Sequence, residues 1–360
     1  MVATEDPFGL TTYLIGVSQG GLGVTGEPGT AAGQVATREV VTDDQQHTVA
    51  AMDSCVHGIG EHLAEIGPAQ VEDAPQVAEG GDNAQWRAGG MGHHIGDERM
   101  SFQWSRLCNN LIRRVCDLFP ENFAPVCQLP QSPGCPPENV VPELRRCIEE
   151  MGFIGCNLNP DPSGGHWTDP PMTDPWWFKL YEVLEELDCP AMIHVSQSCN
   201  PNFHFTGAHY INADTAVFMQ ILNSDLFQRF PKLKFIIPHG GGAVPYHWGR
   251  YRGLAIDLKR TAPADLLGNN MWFDTCVYHQ PGIDLLSRVV PVKNVLFASE
   301  LHGAVRCVDP ETRHMFDDTK RYIEATPYLN DEERSMIYYK NALNVFSRLK
   351  VAPTEGPGAA

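Results

Sequence analysis

The sequence is short of the signatures that assign a protein most quickly. In 360 residues there is no run of 18 apolar residues, which excludes a long apolar membrane-spanning helix. No basic region followed by an apolar segment opens the chain, so a secretory signal is not expected. The eleven cysteines form no CxxC pair, a pattern that fits reduced thiols in a cytoplasmic protein better than a disulfide framework. No GxGxxG follows a strand pattern, which counts against a dinucleotide fold. HxH and HExxH are both missing, so no ready-made pair of metal-binding histidines exists. Positive charge is scarce: 26 Lys and Arg stand against 44 Asp and Glu, a formal net charge of −18. That balance argues against nucleic acid and anionic membranes as partners.

The scarcity is sharpest at the start. Residues 1–90 hold thirteen acids, only Arg38 and Arg87 as bases, and no lysine. Low hydrophobicity with high charge predicts that residues 1–85 are poorly ordered. The main domain is expected from 86 to 350, with residues 351–360 as a tail. The chain is 42% hydrophobic, enough for one large core.

What is present is a repeated grammar. Phe235-Ile-Ile237 reads as a buried strand that ends at Pro238, with His239 and three glycines behind it. Such glycines are expected to let a ligand approach the backbone. Upstream, His194 lies in the apolar strand Pro190-Ala-Met-Ile-His-Val-Ser196; downstream, Glu300 follows Val295-Leu-Phe-Ala-Ser299. Six strand patterns occur between about 123 and 299, each followed by a helical one. Repeated β–α units with right-handed crossovers mean a parallel sheet, and functional residues at several strand ends favour a (β/α)₈ barrel over a doubly wound sheet. A helix over residues 102–119 should be capped by Ser101 and bury Leu107, Leu111, Val115 and Leu118. Long loops are expected over 157–175 and 196–212, the second carrying Asn200, His209 and Tyr210.

Each candidate has a plainer alternative. A lone histidine on an apolar strand is more often a satisfied core residue, and Glu300 could simply cap a loop. Together, two imidazoles and a carboxylate at separate strand ends are what a divalent metal such as zinc needs, although the set is short of ligands. His93 and His94 are adjacent, so on a strand they would point to opposite faces. Arg87, Arg250, Arg252 and Arg321 suit bidentate carboxylate binding, or else a solvated helix face. Tyr210 and the Tyr278-His279 pair could donate hydrogen bonds to an oxyanion, or could pack.

Five stretches carry a family resemblance: Gly155-Cys-Asn-Leu-Asn-Pro-Asp-Pro162, Met192-Ile-His-Val-Ser196, the run from Ile236 to Arg250, Phe273-Asp-Thr-Cys-Val-Tyr-His-Gln-Pro-Gly282 and Phe297-Ala-Ser-Glu300. They resemble the 4-oxalomesaconate hydratases of the amidohydrolase superfamily, on the branch that includes the aminocarboxymuconate-semialdehyde decarboxylases. The resemblance spans about residues 87–346. It implies a distorted (β/α)₈ barrel holding one zinc ion. It also implies a lyase that adds water to a small polycarboxylate keto acid in bacterial protocatechuate or gallate breakdown. By position, His194 and Glu300 match metal ligands, with Glu300 also at the catalytic centre. His239 matches the acid/base histidine and Tyr210 an active-site tyrosine. Arg87, Asn200, Arg250 and His279 fall to substrate binding.

The departure from the family is the N-terminus. Members begin with a strand bearing HxH, and residues 1–85 carry none. A barrel lacking its first strands, an exposed sheet edge and an incomplete metal site are therefore expected. Two other readings follow: a decarboxylase or hydrolase of the same branch, or a non-catalytic barrel that binds a polycarboxylate or a partner and holds no stoichiometric zinc. Association with further copies of the chain stays open.

Overall fold

In the computed structural model the described residues are 2–5, 11–14, 93–120, 122–196, 198–203, 208–299, 305 and 307–349. The chain divides into two compact units, Gly20–Trp86, which lies outside the described residues, and the remainder. Within the acidic N-terminal segment, β1 (Val2–Glu5) and β2 (Thr11–Leu14) form an antiparallel pair.

The centre of the molecule is a parallel sheet of six strands in sequential order: β3 (Val126–Gln128), β4 (Gly155–Leu158), β5 (Ala191–Ile193), β6 (Phe235–Ile237), β7 (Met271–Asp274) and β8 (Val295–Leu296). Every neighbouring pair is parallel, so each connection crosses over, and helices supply the crossovers. These are α2 (Val141–Arg145, continued as one wider turn to Glu150), α3 (Phe178–Glu186), α4 (Ala208–Leu222), α5 (Leu226–Arg229), α6 (Trp248–Asp257), α7 (Pro263–Leu267) and α8 (Gln280–Val289), while α1 (Glu98–Leu118) precedes β3. The chain closes with α9 (Thr319–Ala325), α10 (Asp331–Ser335) and α11 (Asn341–Val345). Sequential parallel order with helices between strands is the arrangement of an α/β barrel, here with six parallel strands among the described residues.

Alternation along the strands divides the core. Met192, Ile236 and Trp272 stand in register on one face, where they join Val126, Ile154, Leu296, Val345 and Phe346 in one buried cluster. The opposite face packs on helices: Phe235 meets Tyr181 of α3 at 5.6 Å between rings, and Phe273 meets Phe218 of α4 at 6.0 Å. Aromatic pairs edge-on at this spacing add to what area burial alone provides.

The helix before β3 differs from its expected form. Asp97, not Ser101, caps it, accepting from the Met100 N–H at 2.9 Å. Its buried side is Ser101, Ser105, Cys108, Asn109, Ile112 and Cys116, while Leu107 and Leu118 face solvent. Hydrogen bonding decides this orientation. The Asn109 side chain accepts from the Gln128 N–H at 2.8 Å and donates to the Gln128 carbonyl at 3.0 Å. Ser101 donates to the Gln131 carbonyl at 2.6 Å. Two backbone groups of edge strand β3 are thus satisfied by α1, so at Gln128 the sheet edge is covered rather than exposed.

Candidate active site

Three rings meet at the carboxyl ends of β5 and β6. His194 follows β5 directly, and strand alternation puts it on the same face as Met192. Its Nδ1–H donates to the Val195 carbonyl at 2.7 Å. A carbonyl only accepts, so Nδ1 carries a proton. Tyr210 comes from the first turn of α4, which begins at Ala208, so His209 and Tyr210 are helical rather than part of a loop. The His194 ring centroid lies 5.3 Å from Tyr210 and 5.3 Å from His239. Tyr210 and His239 are nearly parallel, 5.7 Å apart with a 5° interplanar angle.

His239 is held from a second direction. Its Nδ1 is 2.8 Å from Oδ2 of Asp214, which is buried, while His239 is partly buried. Asp214 stands one helical turn after Tyr210 on α4, so spacing of four residues turns both toward the same imidazole. With Nδ1 engaged by a carboxylate, proton exchange falls to Nε2.

The segment carrying His239 is wound into the left-handed region over four residues: φ is 53° at His239, 65° at Gly240, 80° at Gly241 and 63° at Gly242. The glycines are there for packing. A Cβ on Gly240 would come within 2.6 Å of Val277, one on Gly241 within 2.6 Å of the Phe273 ring, and one on Gly242 within 2.7 Å of Thr215 Oγ1. Close approach of β7 and α4, rather than of a ligand to the backbone, explains the triplet. Asp274 at the end of β7 completes the brace, its Oδ1 accepting from the Gly240 N–H at 2.9 Å and the Cys276 N–H at 3.0 Å. His239 itself carries the strain of a positive φ, a conformation kept where surrounding contacts over-determine it.

The other predicted residues stand elsewhere. Arg250 is exposed on α6, and His279 is exposed just before α8, its Nδ1 3.4 Å from the Val277 carbonyl. Asn200 joins two loops: its Nδ2 donates to the Gly165 carbonyl at 2.8 Å and its Oδ1 accepts from the Asn202 N–H at 2.9 Å. Glu300 and Arg87 lie outside the described residues.

His194 has the arrangement of a metal ligand, a buried imidazole with one ring nitrogen fixed on a carbonyl. Yet among the described residues no three His, Cys, Asp or Glu side chains converge to hold a metal ion. These residues by themselves do not complete a zinc site.

Sequence reasoning passed over Asp214 and Asp274, and weighed His93 only as one of an adjacent pair. His93 and His94 lie in a turn before α1, not on a strand. His93 is buried. Its Nε2 is 3.2 Å from the Leu129 carbonyl, its Nδ1 is 2.9 Å from Asn159 Nδ2, and its N–H lies 3.3 Å from Ser196 Oγ. It thereby ties together the segments that follow β3, β4 and β5. Burial pushes its pKa down to about 4, so the ring is neutral near pH 7. The visible signal for Asp214 was its spacing from Tyr210.

Comparison with known proteins adds four findings. The family model described as Amidohydrolase matches residues 46–348, reaching back into the acidic segment. The chain is 60% identical over 263 residues to 2-keto-4-carboxy-3-hexenedioate hydratase of Sphingobium sp., covering 73% of this chain and 77% of that protein. Among solved structures, 4-oxalomesaconate hydratase from Rhodopseudomonas palustris is 58% identical with a TM-score of 0.67, covering 71% of this chain and 75% of that one. A dihydroxybenzoic acid decarboxylase from Polaromonas sp., solved with bound manganese, is similar in fold at 20% identity and a TM-score of 0.53, covering 71% and 78%.

Proposed function

Because the chain belongs to the amidohydrolase family over most of its length, we propose that it is a hydratase of 4-oxalomesaconate, the hydrolyase reaction named for its 60% identical relative. That identity is the observation that carries the reading. The substrate's chemistry follows from its name, 2-keto-4-carboxy-3-hexenedioate: three carboxylates, and a C2 ketone conjugated with the C3–C4 double bond. Conjugation makes C4 electrophilic. The oxygen of water bonds to C4, one of its protons departs, and a proton is delivered to C3, so one water is gained and nothing is lost.

The ring cluster supports this reaction. His239 moves a proton at Nε2, with Asp214 fixing its tautomer and orientation through Nδ1. Tyr210, parallel to His239, offers its hydroxyl to the oxygen on which negative charge gathers as C2–C3 becomes enolate-like. Arg87, Asn200, Arg250 and His279 are assigned to the substrate's carboxylates. His194 and Glu300 are assigned to one divalent metal, with zinc the choice for an imidazole and carboxylate pair. When bound, such an ion supplies Lewis acidity to the reacting oxygens.

The partner is thus a small carboxylic acid. Among the described residues no helix is long and apolar enough to cross a membrane, and the ten described cysteines are all free thiols. The thiols support a reducing compartment such as the cytoplasm. The test is to incubate the full chain with 4-oxalomesaconate and follow the conjugated chromophore and the product mass. Loss of the chromophore with gain of one water supports the hydratase; release of carbon dioxide would assign the chain to decarboxylation instead.

A further inference from the structure

One buried histidine is left over by this account. His209, beside Tyr210 in the first turn of α4, is 1% exposed. Neither of its ring nitrogens has a hydrogen-bond partner. Its ring lies 6.2 Å from Tyr210 and 5.2 Å from Phe203. A buried imidazole with two unmet nitrogens is costly, because each polar atom gives up water without replacement.

A second histidine shares its surroundings. His94 Nδ1 is also buried without a partner, and it packs on the β4–α3 loop, where a Cβ at Gly164 would meet it at 2.6 Å. The same loop carries Asp161, whose field acts on both His94 and His209. Asp161 is engaged mainly within its own loop. Its Oδ1 accepts from Ser163 and from the Trp167 N–H at 3.1 Å, and its Oδ2 accepts from the Gly165 N–H at 2.6 Å. Cys199 is likewise spent, its thiol directed at the Ser163 and Gly164 carbonyls.

We propose that His209 and His94 form a carboxylate-binding subsite next to the ring cluster, filled by one carboxylate of a small polycarboxylic acid. The proposal rests on the hydratase reading and deepens it by naming residues that recognise the substrate class. Two imidazole N–H groups are what a carboxylate's two oxygens require. The start of α4, a helix of 15 residues, favours negative charge at the same place. A metal ion is a poorer occupant, since two imidazoles fall short of the three protein ligands a held ion needs and Asp161 is already committed. Burial lowers the pKa of both histidines and outweighs the opposing field of Asp161, so the rings meet a carboxylate as neutral N–H donors.

The probe is tricarballylate, a saturated tricarboxylate that cannot be hydrated. Its binding to the full chain is measured by calorimetry, beside turnover of 4-oxalomesaconate. The wild type is expected to bind it. His209→Phe, which keeps a ring against Phe203, should weaken binding by about 10-fold or more, the loss of a charge-assisted hydrogen bond. His94→Gln, which keeps a donor, should weaken it less. In turnover His209→Phe should raise KM more than it lowers kcat. A melting temperature close to the wild type's shows that the Phe variant is folded; if it is not, His209→Gln takes its place with the same expectation. Equal affinity in wild type and variant, or no binding by the wild type, overturns the subsite. So does a variant that keeps tricarballylate and loses zinc titrated alone. Tricarballylate bound through His209 without turnover of 4-oxalomesaconate would retain the subsite and sink the hydratase reading, so the two failures are distinguishable.

Discussion

His239 and Asp214 sit 2.8 Å apart, nitrogen to oxygen, although one belongs to a strained turn after β6 and the other to α4. The pair joins two elements that the sequence separates by 25 residues. Asp214 touches no reacting atom in the proposed reaction; it is a positioning residue that acts through the imidazole. Asp214→Asn keeps the shape and removes the charge. An amide can turn its N–H₂ toward Nδ1 and enforce the wrong tautomer, as general-base histidines cannot tolerate. The expected result is a fall in kcat of about 100-fold or more, with KM little changed and the limb of the pH–rate profile that reports His239 displaced. An unchanged kcat and profile would reduce the pair to a structural contact.

Gly241 tests the packing explanation of the triplet. At φ 80°, with a Cβ 2.6 Å from the Phe273 ring, alanine meets both backbone strain and a clash with a buried aromatic. Gly241→Ala should cost about 3 kcal/mol of stability by summing the two effects, read as a lowered urea midpoint at constant slope. Gly249 on α6 has open space where its Cβ would be and an ordinary φ. Gly249→Ala should therefore be neutral or stabilise by up to about 1 kcal/mol. If both substitutions behaved alike, the distinction drawn between the two sites would be wrong.

The strands were the most legible part of the fold. Phe235–Ile237 falls where its β-branched and aromatic run ends at proline, and six parallel strands follow from six β–α repeats. Burial periodicity failed on α1, because Ser101, Ser105 and Asn109 are inside for their hydrogen bonds while leucines lie outside. Periodicity reads apolar residues and is blind to a polar side chain recruited by an edge strand. In the site, His194 and His239 were singled out because they stand at strand ends, and Tyr210 because it lay in a polar stretch and matched the family's tyrosine; the structure brings the three rings together. Asp214 and Asp274 were not singled out, nor was His93 by itself, since an ordinary acid on a helix or a histidine in a turn gains meaning only from what the fold brings beside it.

His93 makes stability depend on pH in a defined direction. Its pKa is about 4 in the folded protein and about 6.5 unfolded, so the unfolded chain binds the proton more readily. A depressed histidine costs stability as pH falls: nothing well above 6.5, progressively more below it, and the full amount only beneath about 4. At pH 4.5 this one residue should cost about 2.5 kcal/mol relative to pH 7.5, from the linkage relation applied to that pair of values. Urea melts of wild type and His93→Gln at both pH values isolate the term. The glutamine variant should lose less on acidification, by about that difference; parallel losses in the two proteins would show that His93 does not carry it.

The metal assignment is tested through His194. Its Nδ1–H is fixed on the Val195 carbonyl, so Nε2 is the ring nitrogen left to face a metal. With Glu300 as the second assigned donor and no HxH in the chain, the protein supplies fewer than the three ligands usual for catalytic zinc. Affinity should then be weak enough for a chelator to remove the ion by dialysis without unfolding the barrel, because the core beneath the site is apolar and does not depend on metal. Equilibrium dialysis against excess zinc, with the dialysate subtracted, should give about one ion bound per wild-type chain. His194→Ala should retain almost none, and its urea midpoint without metal should stay near the wild type's. An alanine variant that retained the full zinc content would remove His194 from the ligand set, leaving its carbonyl-bound tautomer as a feature of the core alone.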